Sequence, residues 1–265
     1  MKVRLTPRDI FERKANGGKL TVLTAYDYPC AKILDEEGVD IILVGDSLGM
    51  VHLGHEDTRS VTMEDMAGHT AAVSRAVKRA MVVADMPFGS YGEPETAIQN
   101  ARRLTREAGA DAVKLEGGEK ILEQVSALIN AGIPVMGHVG MLPQSVSAAG
   151  KYQVQGRTPG EAEAIVRDAL LLDRLGAFAI VLECIPQTLG ARITKEVRCP
   201  AIGIGAGPAT DGQVLVLHDF LGYKSKVHPK FVRPYADFDG QMRRAVRAYR
   251  SDVQAGNFPS EKESY

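Results

Sequence analysis

The sequence predicts a single-domain (β/α)8 barrel of the TIM type, and three observations carry that reading. Short apolar runs recur eight times along the chain. Segments of helical period separate most of them. Several runs end in an ionisable residue, at the strand end where such barrels carry their chemistry.

The runs are Leu20 to Ala25, Ile41 to Val44, Met81 to Ala84, Ala112 to Leu115, Pro134 to Gly137, Phe178 to Leu182, Pro200 to Ile204 and Val214 to Leu217. They are rich in β-branched residues and lack strict alternation, as befits strands buried on both faces of a parallel sheet. Between them, Met63 to Arg79, Pro94 to Ala108, Glu119 to Ala131, Gly160 to Leu175 and Gln187 to Val197 read as amphipathic helices. Thr62 before Asp65 forms a weak capping-box pattern, Pro94 can open a helix, and Gly109, Gly132 and Gly176 sit just past helix ends. Thr6 to Lys14 reads as a short helix able to plug the barrel's lower mouth, and Asp237 to Gln254 as a late helix. The tail from about residue 260 is expected to fray. A doubly wound open sheet is the alternative arrangement of the same elements.

Composition narrows the class of ligand. The 265 residues are 45% hydrophobic and 25% charged, enough to bury a full core in one domain spanning 1–265. Lys and Arg number 32 against 33 Asp and Glu, so no net field favours nucleic acid and no basic block favours a membrane surface. A small molecule is the expected partner. Cys30, Cys184 and Cys199 lie in or beside apolar runs without Cys-x-x-Cys spacing and read as core thiols in a reducing compartment. The polar N-terminus and the lack of any run of transmembrane length make a cytoplasmic location the expectation.

The ionisable residues fall where a barrel would use them. Val44-Gly45 leads into Asp46 and Ser47, Ala84 into Asp85, Val113 into Lys114-Leu115-Glu116, Gly137 into His138, and Leu182 into Glu183. Lys114 and Glu116 are two apart and project from one strand face. Asp46, Asp85 and Glu116 supply three carboxylates from three successive strands, oxygen donors suited to Mg²⁺, which keeps positions open for water or for a chelating α-keto acid. Taken singly, Asp46 or Asp85 reads equally as a helix cap, Lys114 with Glu116 as a rim ion pair, His138 as a core histidine and Glu183 as a solvent-facing acid. Their joint placement favours a shared charged ligand.

Three motifs point elsewhere and are weaker. Gly45-Asp46-Ser47-Leu48-Gly49 matches a hydrolase nucleophile elbow and the GDSL string of an esterase family, but no helical stripe follows the serine and the C-terminal region offers His218-Asp219 rather than Asp-x-x-His. Gly203-Ile204-Gly205-Ala206-Gly207 resembles a phosphate loop with no room for a helix after it, so a tight turn is expected. His52, His55, Glu56 and Asp57 read as part of a polar lid over residues 50 to 61 rather than as a second metal site.

The residues also resemble a known family. Leu23-Thr24-Ala25-Tyr26-Asp27, Gly45 to Met50, Ala84-Asp85-Met86-Pro87-Phe88, Val113 to Gly118, Gly137-His138-Val139-Gly140, Gln153 to Arg157, Leu182 to Pro186, Gly203 to Gly207 and Asp211-Gly212-Gln213 are similar, in order and spacing, to ketopantoate hydroxymethyltransferases. The similarity runs over roughly residues 3 to 259. It implies a barrel of the phosphoenolpyruvate mutase/isocitrate lyase type and a homo-oligomer, typically a homodecamer in bacteria. It also implies hydroxymethyl transfer from 5,10-methylenetetrahydrofolate to 3-methyl-2-oxobutanoate, through a Mg²⁺-stabilised enolate, in pantothenate and coenzyme A biosynthesis. By the same resemblance the metal maps to Asp46, Asp85 and Glu116, the keto acid to Asp46, Ser47, Asp85 and Lys114 with His138 close by, and the catalytic base to Glu183. Two alternatives are a Mg²⁺-dependent lyase or mutase of the same superfamily, whose Lys-Lys-Cys-Gly-His loop does not occur here, and a non-catalytic metal-dependent binding protein.

Overall fold

The computed structural model describes residues 4–145, 153–224 and 229–265. One domain is the sequence expectation; the chain groups into two compact units, Met1–Val216 and Leu217–Tyr265. The first is a closed barrel of eight parallel strands, β1 (Leu20–Thr24), β2 (Ile41–Val44), β3 (Met81–Asp85), β4 (Ala112–Glu116), β5 (Val135–Gly140), β6 (Ala179–Glu183), β7 (Ala201–Ile204) and β8 (Gly212–Leu215). They pair in chain order, and β8 returns to β1, so the open-sheet alternative does not apply. Each strand overlaps its expected run. β8 begins earlier, at Gly212, because that glycine pairs on both sides where a Cβ would stand 2.6 Å from the Leu20 carbonyl oxygen.

The barrel unit's helices are α1 (Pro7–Ala15), α2 (Tyr28–Glu36), α3 (Leu48–Val51), α4 (Met63–Ala76), α5 (Pro94–Arg102), α6 (Leu122–Asn130), α7 (Pro159–Leu175) and α8 (Gln187–Glu196). α2 is absent from the sequence reading, although Asp27 accepts from the Cys30 amide as its N-cap and a proline sits in its first turn. α4 stops at Ala76 rather than Arg79 because the amides of Lys78, Arg79 and Ala80 donate to the Asp35 carboxylate of α2, at 2.9, 2.9 and 2.7 Å. Its start carries a full capping box between Thr62 and Asp65. α5 passes into a π-helical turn, Arg103–Glu107, before Gly109 at φ +83°. Cys184 and Cys199 are buried as expected, whereas Cys30, in the first turn of α2, is only half-buried.

Strand alternation sets what fills the barrel. Leu20 and Val22, Ile41 and Leu43, Met81 and Val83, Ala112, Met136, Ala179 and Val181, Ile202 and Val214 form one interior cluster. Ile10 of α1 is buried within it, closing the lower mouth. Cations of the same N-terminal segment hold the plug: Arg4 pairs with Asp111 at 3.2 Å, Arg13 with Asp40 at 3.0 Å and Lys14 with Asp211 at 3.0 Å. Each of these aspartates immediately precedes a strand and accepts an amide from the start of the preceding strand, Val82, Thr21 and Ala201 respectively, at 2.8 to 2.9 Å.

The second unit contains α9 (Leu217–Leu221) and α10 (Phe238–Ala255), the latter capped by Asp237 and ended by Gly256 at φ +73°. The tail holds a 3-10 turn at Glu261–Glu263 with a Ser260 capping box. No helix among the described residues is long and apolar enough to cross a membrane.

Asp35 yields a stability prediction. Burial, the largest influence, raises its pKa, but the three backbone donors and Arg79 outweigh it and hold the carboxyl below its ordinary value. Its stabilisation is therefore complete above the unfolded value of about 4 and is lost as pH falls through the folded value. Asp35→Asn turns a donor toward an amide that needs an acceptor and should cost about 2 kcal/mol at neutral pH in urea unfolding, with the difference from wild type shrinking in acid.

Candidate active site

The parity that points apolar side chains inward at the bottom of the barrel points ionisable ones inward at the top. Met81 and Val83 continue to Asp85, Ala112 to Lys114 and Glu116, Met136 to His138, and Ala179 and Val181 to Glu183. The register sets them side by side: Asp85 opposite Lys114, Glu116 opposite His138, and Gly140 opposite Glu183. Asp46 and Ser47 follow β2 directly. All seven residues singled out from the sequence therefore lie at the C-terminal ends of β2 to β6.

Their contacts form one network. Lys114 Nζ lies 2.7 Å from Asp85 Oδ1, and Asp85 Oδ2 accepts from the Asp46 amide at 3.1 Å. His138 stands between two acids, with Nδ1 3.4 Å from Glu116 Oε1 and Nε2 3.0 Å from Glu183 Oε2. Neither contact has a hydrogen bond's full alignment. The Ser47 hydroxyl lies 3.0 Å from that of Tyr26. Gly45 makes room for this cluster, since a Cβ there would stand 2.9 Å from Ser47 Oγ and 3.5 Å from Asp85 Oδ2.

Gln144, in a single 3-10 turn at Pro143–Ser145 beyond β5, joins the network without having been anticipated. Its amide nitrogen donates to Asp46 Oδ2 at 2.7 Å and its backbone N–H to Glu116 Oε2 at 3.0 Å. Tyr91 donates to Gln144 Oε1 at 2.6 Å. Tyr26 lies in a segment quoted for the family likeness, but nothing in the spacing of Tyr91 or Gln144 links either to the carboxylates. Only the folded loops bring them there.

Among the described residues, acids outnumber cations in this network. Four carboxylates, Asp46, Asp85, Glu116 and Glu183, face two cationic groups, Lys114 and His138, leaving two negative charges in excess if all are ionised. Burial, then Asp85 and Glu116, push the Asp46 carboxyl well above its usual range. Burial also works against charge on Lys114, yet Asp85, Glu116 and Asp46 together raise its pKa. For His138, burial and Lys114 press toward neutrality, while Glu116 and Glu183 prevail and lift it to about 9. Burial opposes ionisation of Glu116 too, but His138, Lys114 and the Gln144 amide hold it below its ordinary value.

As they stand, no three His, Cys, Asp or Glu side chains among the described residues form a ready-made metal cage. Glu116 is turned to His138 and Gln144, and Asp85 to Lys114 and the Asp46 amide; Asp46 and Asp85 stand as adjacent hard donors. Two carboxylates with water and ligand oxygens are an ordinary coordination for Mg²⁺, and the surplus negative charge fits a divalent ion.

The competing motifs take other roles. Ser47 does lead into a helix, contrary to the sequence reading, because fully buried Leu48 anchors the single turn α3. Its backbone is plainly helical, at φ −50° and ψ −21°, rather than in a strained elbow. The turn from Gly203 to Gly207 runs into β8 without a helix, and Gln213 bonds the Gly207 carbonyl across it. His52 packs against the rings of Tyr26 and His69, and Asp57 caps a 3-10 turn at Thr58–Ser60, so the acids and histidines of this segment do not converge.

Comparison with known proteins agrees with this geometry. A family model described as ketopantoate hydroxymethyltransferase matches residues 4–261. A 3-methyl-2-oxobutanoate hydroxymethyltransferase of Acetivibrio thermocellus is 55% identical over 100% of this chain and 94% of its own length. One from Clostridium novyi is 54% identical over 95% of this chain and 92% of its own. Among solved structures, 2,3-dimethylmalate lyase, a PEP mutase/isocitrate lyase superfamily member, superposes with a TM-score of 0.62 at 16% identity, covering 98% of this chain and 92% of the lyase. That likeness establishes the fold.

Lys114→Met tests the charge balance. Removing the cation leaves Asp85, Asp46 and Glu116 crowded without it and should cost about 3 kcal/mol at pH 7.5. Because the acids then favour protonation, urea unfolding at pH 5.5 should recover part of that loss; an equal deficit at both pH values would contradict the charge assignment.

Proposed function

The chain belongs to the ketopantoate hydroxymethyltransferase family, and on that premise we propose that it forms ketopantoate from 3-methyl-2-oxobutanoate with 5,10-methylenetetrahydrofolate as one-carbon donor. It is a hydroxymethyltransferase by family. The observation that carries the reading to particular residues is the buried excess of carboxylates at the mouth of β2 to β4.

Asp46 and Asp85 are the residues that would hold Mg²⁺, with Glu116 contributing through water. The ion would supply Lewis acidity toward the carboxylate and keto oxygens of the substrate. Ser47 and His138 flank the keto acid position, and Lys114 adds fixed positive charge where the keto oxygen gains electron density. Glu183 is the base. It takes the C3 proton, and the C3–H electron pair forms the new bond to the folate's methylene carbon after water has hydrolysed that carbon from its opened iminium form to formaldehyde, the folate nitrogen leaving with a proton from water. The formaldehyde oxygen becomes the hydroxyl group by taking up the proton that Glu183 removed.

Glu183 suits this role because its side chain keeps 14% exposure, against 4% for Asp85 and 3% for Glu116. Gly140 is what lets β5 lie against it: a Cβ at φ +98° would stand 2.3 Å from the Glu183 carbonyl oxygen. A cytoplasmic homo-oligomer, a homodecamer by family likeness, completes the proposal. α10 buries none of its residues and exposes Met242, Val246, Tyr249 and Val253 at helical spacing, which supports self-association.

Proton NMR of 3-methyl-2-oxobutanoate in D₂O distinguishes the steps. With enzyme, tetrahydrofolate and Mg²⁺, the C3 proton signal should fade and ketopantoate should appear once formaldehyde is added; excess chelator should stop both. Glu183→Gln should bind the keto acid and lose at least about 100-fold in exchange rate. Undiminished exchange in that variant would remove Glu183 from the mechanism.

A further inference from the structure

We propose that Gln144, locked by Tyr91, is the positioning residue that presents the Asp46 carboxylate to a divalent cation. The inference rests on the metal reading above and assigns a role to two residues outside the ligand set. Gln144 is 3% exposed, and each polar atom of its side chain has a partner. The amide nitrogen donates to Asp46 Oδ2 at 2.7 Å and to the Met86 carbonyl at 3.0 Å, while the amide oxygen accepts from Tyr91 at 2.6 Å. Tyr91 Oη and the Met86 carbonyl fix which way the amide faces, because only one orientation gives a donor to both Asp46 and Met86 and an acceptor to Tyr91.

The consequence for Asp46 is directional. One carboxylate oxygen is held by Gln144, so the carboxylate plane is set and the other oxygen is left for a ligand. Asp46 is buried, and its own amide bonds the neighbouring Asp85 carboxylate, so its side chain stands among acids. A neutral donor holds it without cancelling the negative charge that attracts the cation. The same residue's backbone N–H holds Glu116 Oε2 at 3.0 Å, so one turn after β5 registers the acids that follow β2 and end β4. Partners of this kind commonly set metal affinity by about 10- to 100-fold.

The test is binding of Mn²⁺, a paramagnetic stand-in for Mg²⁺, followed by electron paramagnetic resonance on the full-length protein without substrate. Gln144→Leu keeps the volume and removes the donors; it should weaken Mn²⁺ binding by about 10-fold or more. Tyr91→Phe removes one hydroxyl and poses little threat to folding. It should weaken binding by a smaller factor, and that factor should vanish in the Gln144→Leu background, because Tyr91 acts through Gln144. Melting temperatures of the metal-free proteins report any general loss of stability separately. Unchanged or tighter Mn²⁺ binding in folded Gln144→Leu, or a Tyr91→Phe effect that persists in its background, would overturn the proposal. Wild-type protein that binds no Mn²⁺ would instead overturn the metal reading itself.

Discussion

The two-residue repeat of a β-strand, closed into a barrel, is the constraint on which both halves of this molecule's interior depend. Once Met81 and Val83 face the axis, Asp85 must as well; once Ala112 does, Lys114 and Glu116 follow. A register slip of one residue would put the core side chains among the helices and the carboxylates with them. Packing at the bottom of the barrel thus aims the chemistry at the top, and the apolar cluster cannot be altered in parity without dismantling the site.

That arrangement concentrates charge where it is least tolerated. Among the described residues, Asp46, Asp85, Glu116 and Glu183 stand together with two cationic groups, Lys114 and His138, and burial with its acidic neighbours falls hardest on Asp46. The opposite mouth shows how the chain treats carboxylates that serve structure: Asp40, Asp111 and Asp211 each have a cation from the N-terminal segment and an amide from the preceding strand. There, acceptors and donors are matched. The contrast between the paired acids of the lower rim and the crowded acids of the upper one supports the proposal that the upper acids serve a ligand.

Legibility in the sequence follows the same division. The eight strands could be read because burial on both faces leaves an uninterrupted apolar run, and the inward acids because they stand at the ends of those runs. α2 escaped although Ala31 and Leu34 share its buried face and Asp27 and Pro29 marked its start. The end of α4 could not be read at all: its cause is Asp35, more than forty residues away in sequence. Tyr91 and Gln144 lie in loops, where no period reports direction, and become visible only as partners of residues already suspected.

His138 shows why the site behaves as a unit rather than as separate residues. Its imidazole touches both Glu116 and Glu183, and its charge is sustained by the two together against burial and against Lys114. In the proposed reaction Glu183 becomes neutral when it takes the C3 proton, which removes one of the two charges that hold the imidazolium. The remaining partner, Glu116, is the acid fastened by the Gln144 amide. The imidazole therefore keeps an anchored counter-charge while the base titrates, so the proton can arrive at Glu183 without the histidine losing its place. On the proposed mechanism, an acid in the position of Glu116 serves this electrostatics whether or not it touches a metal.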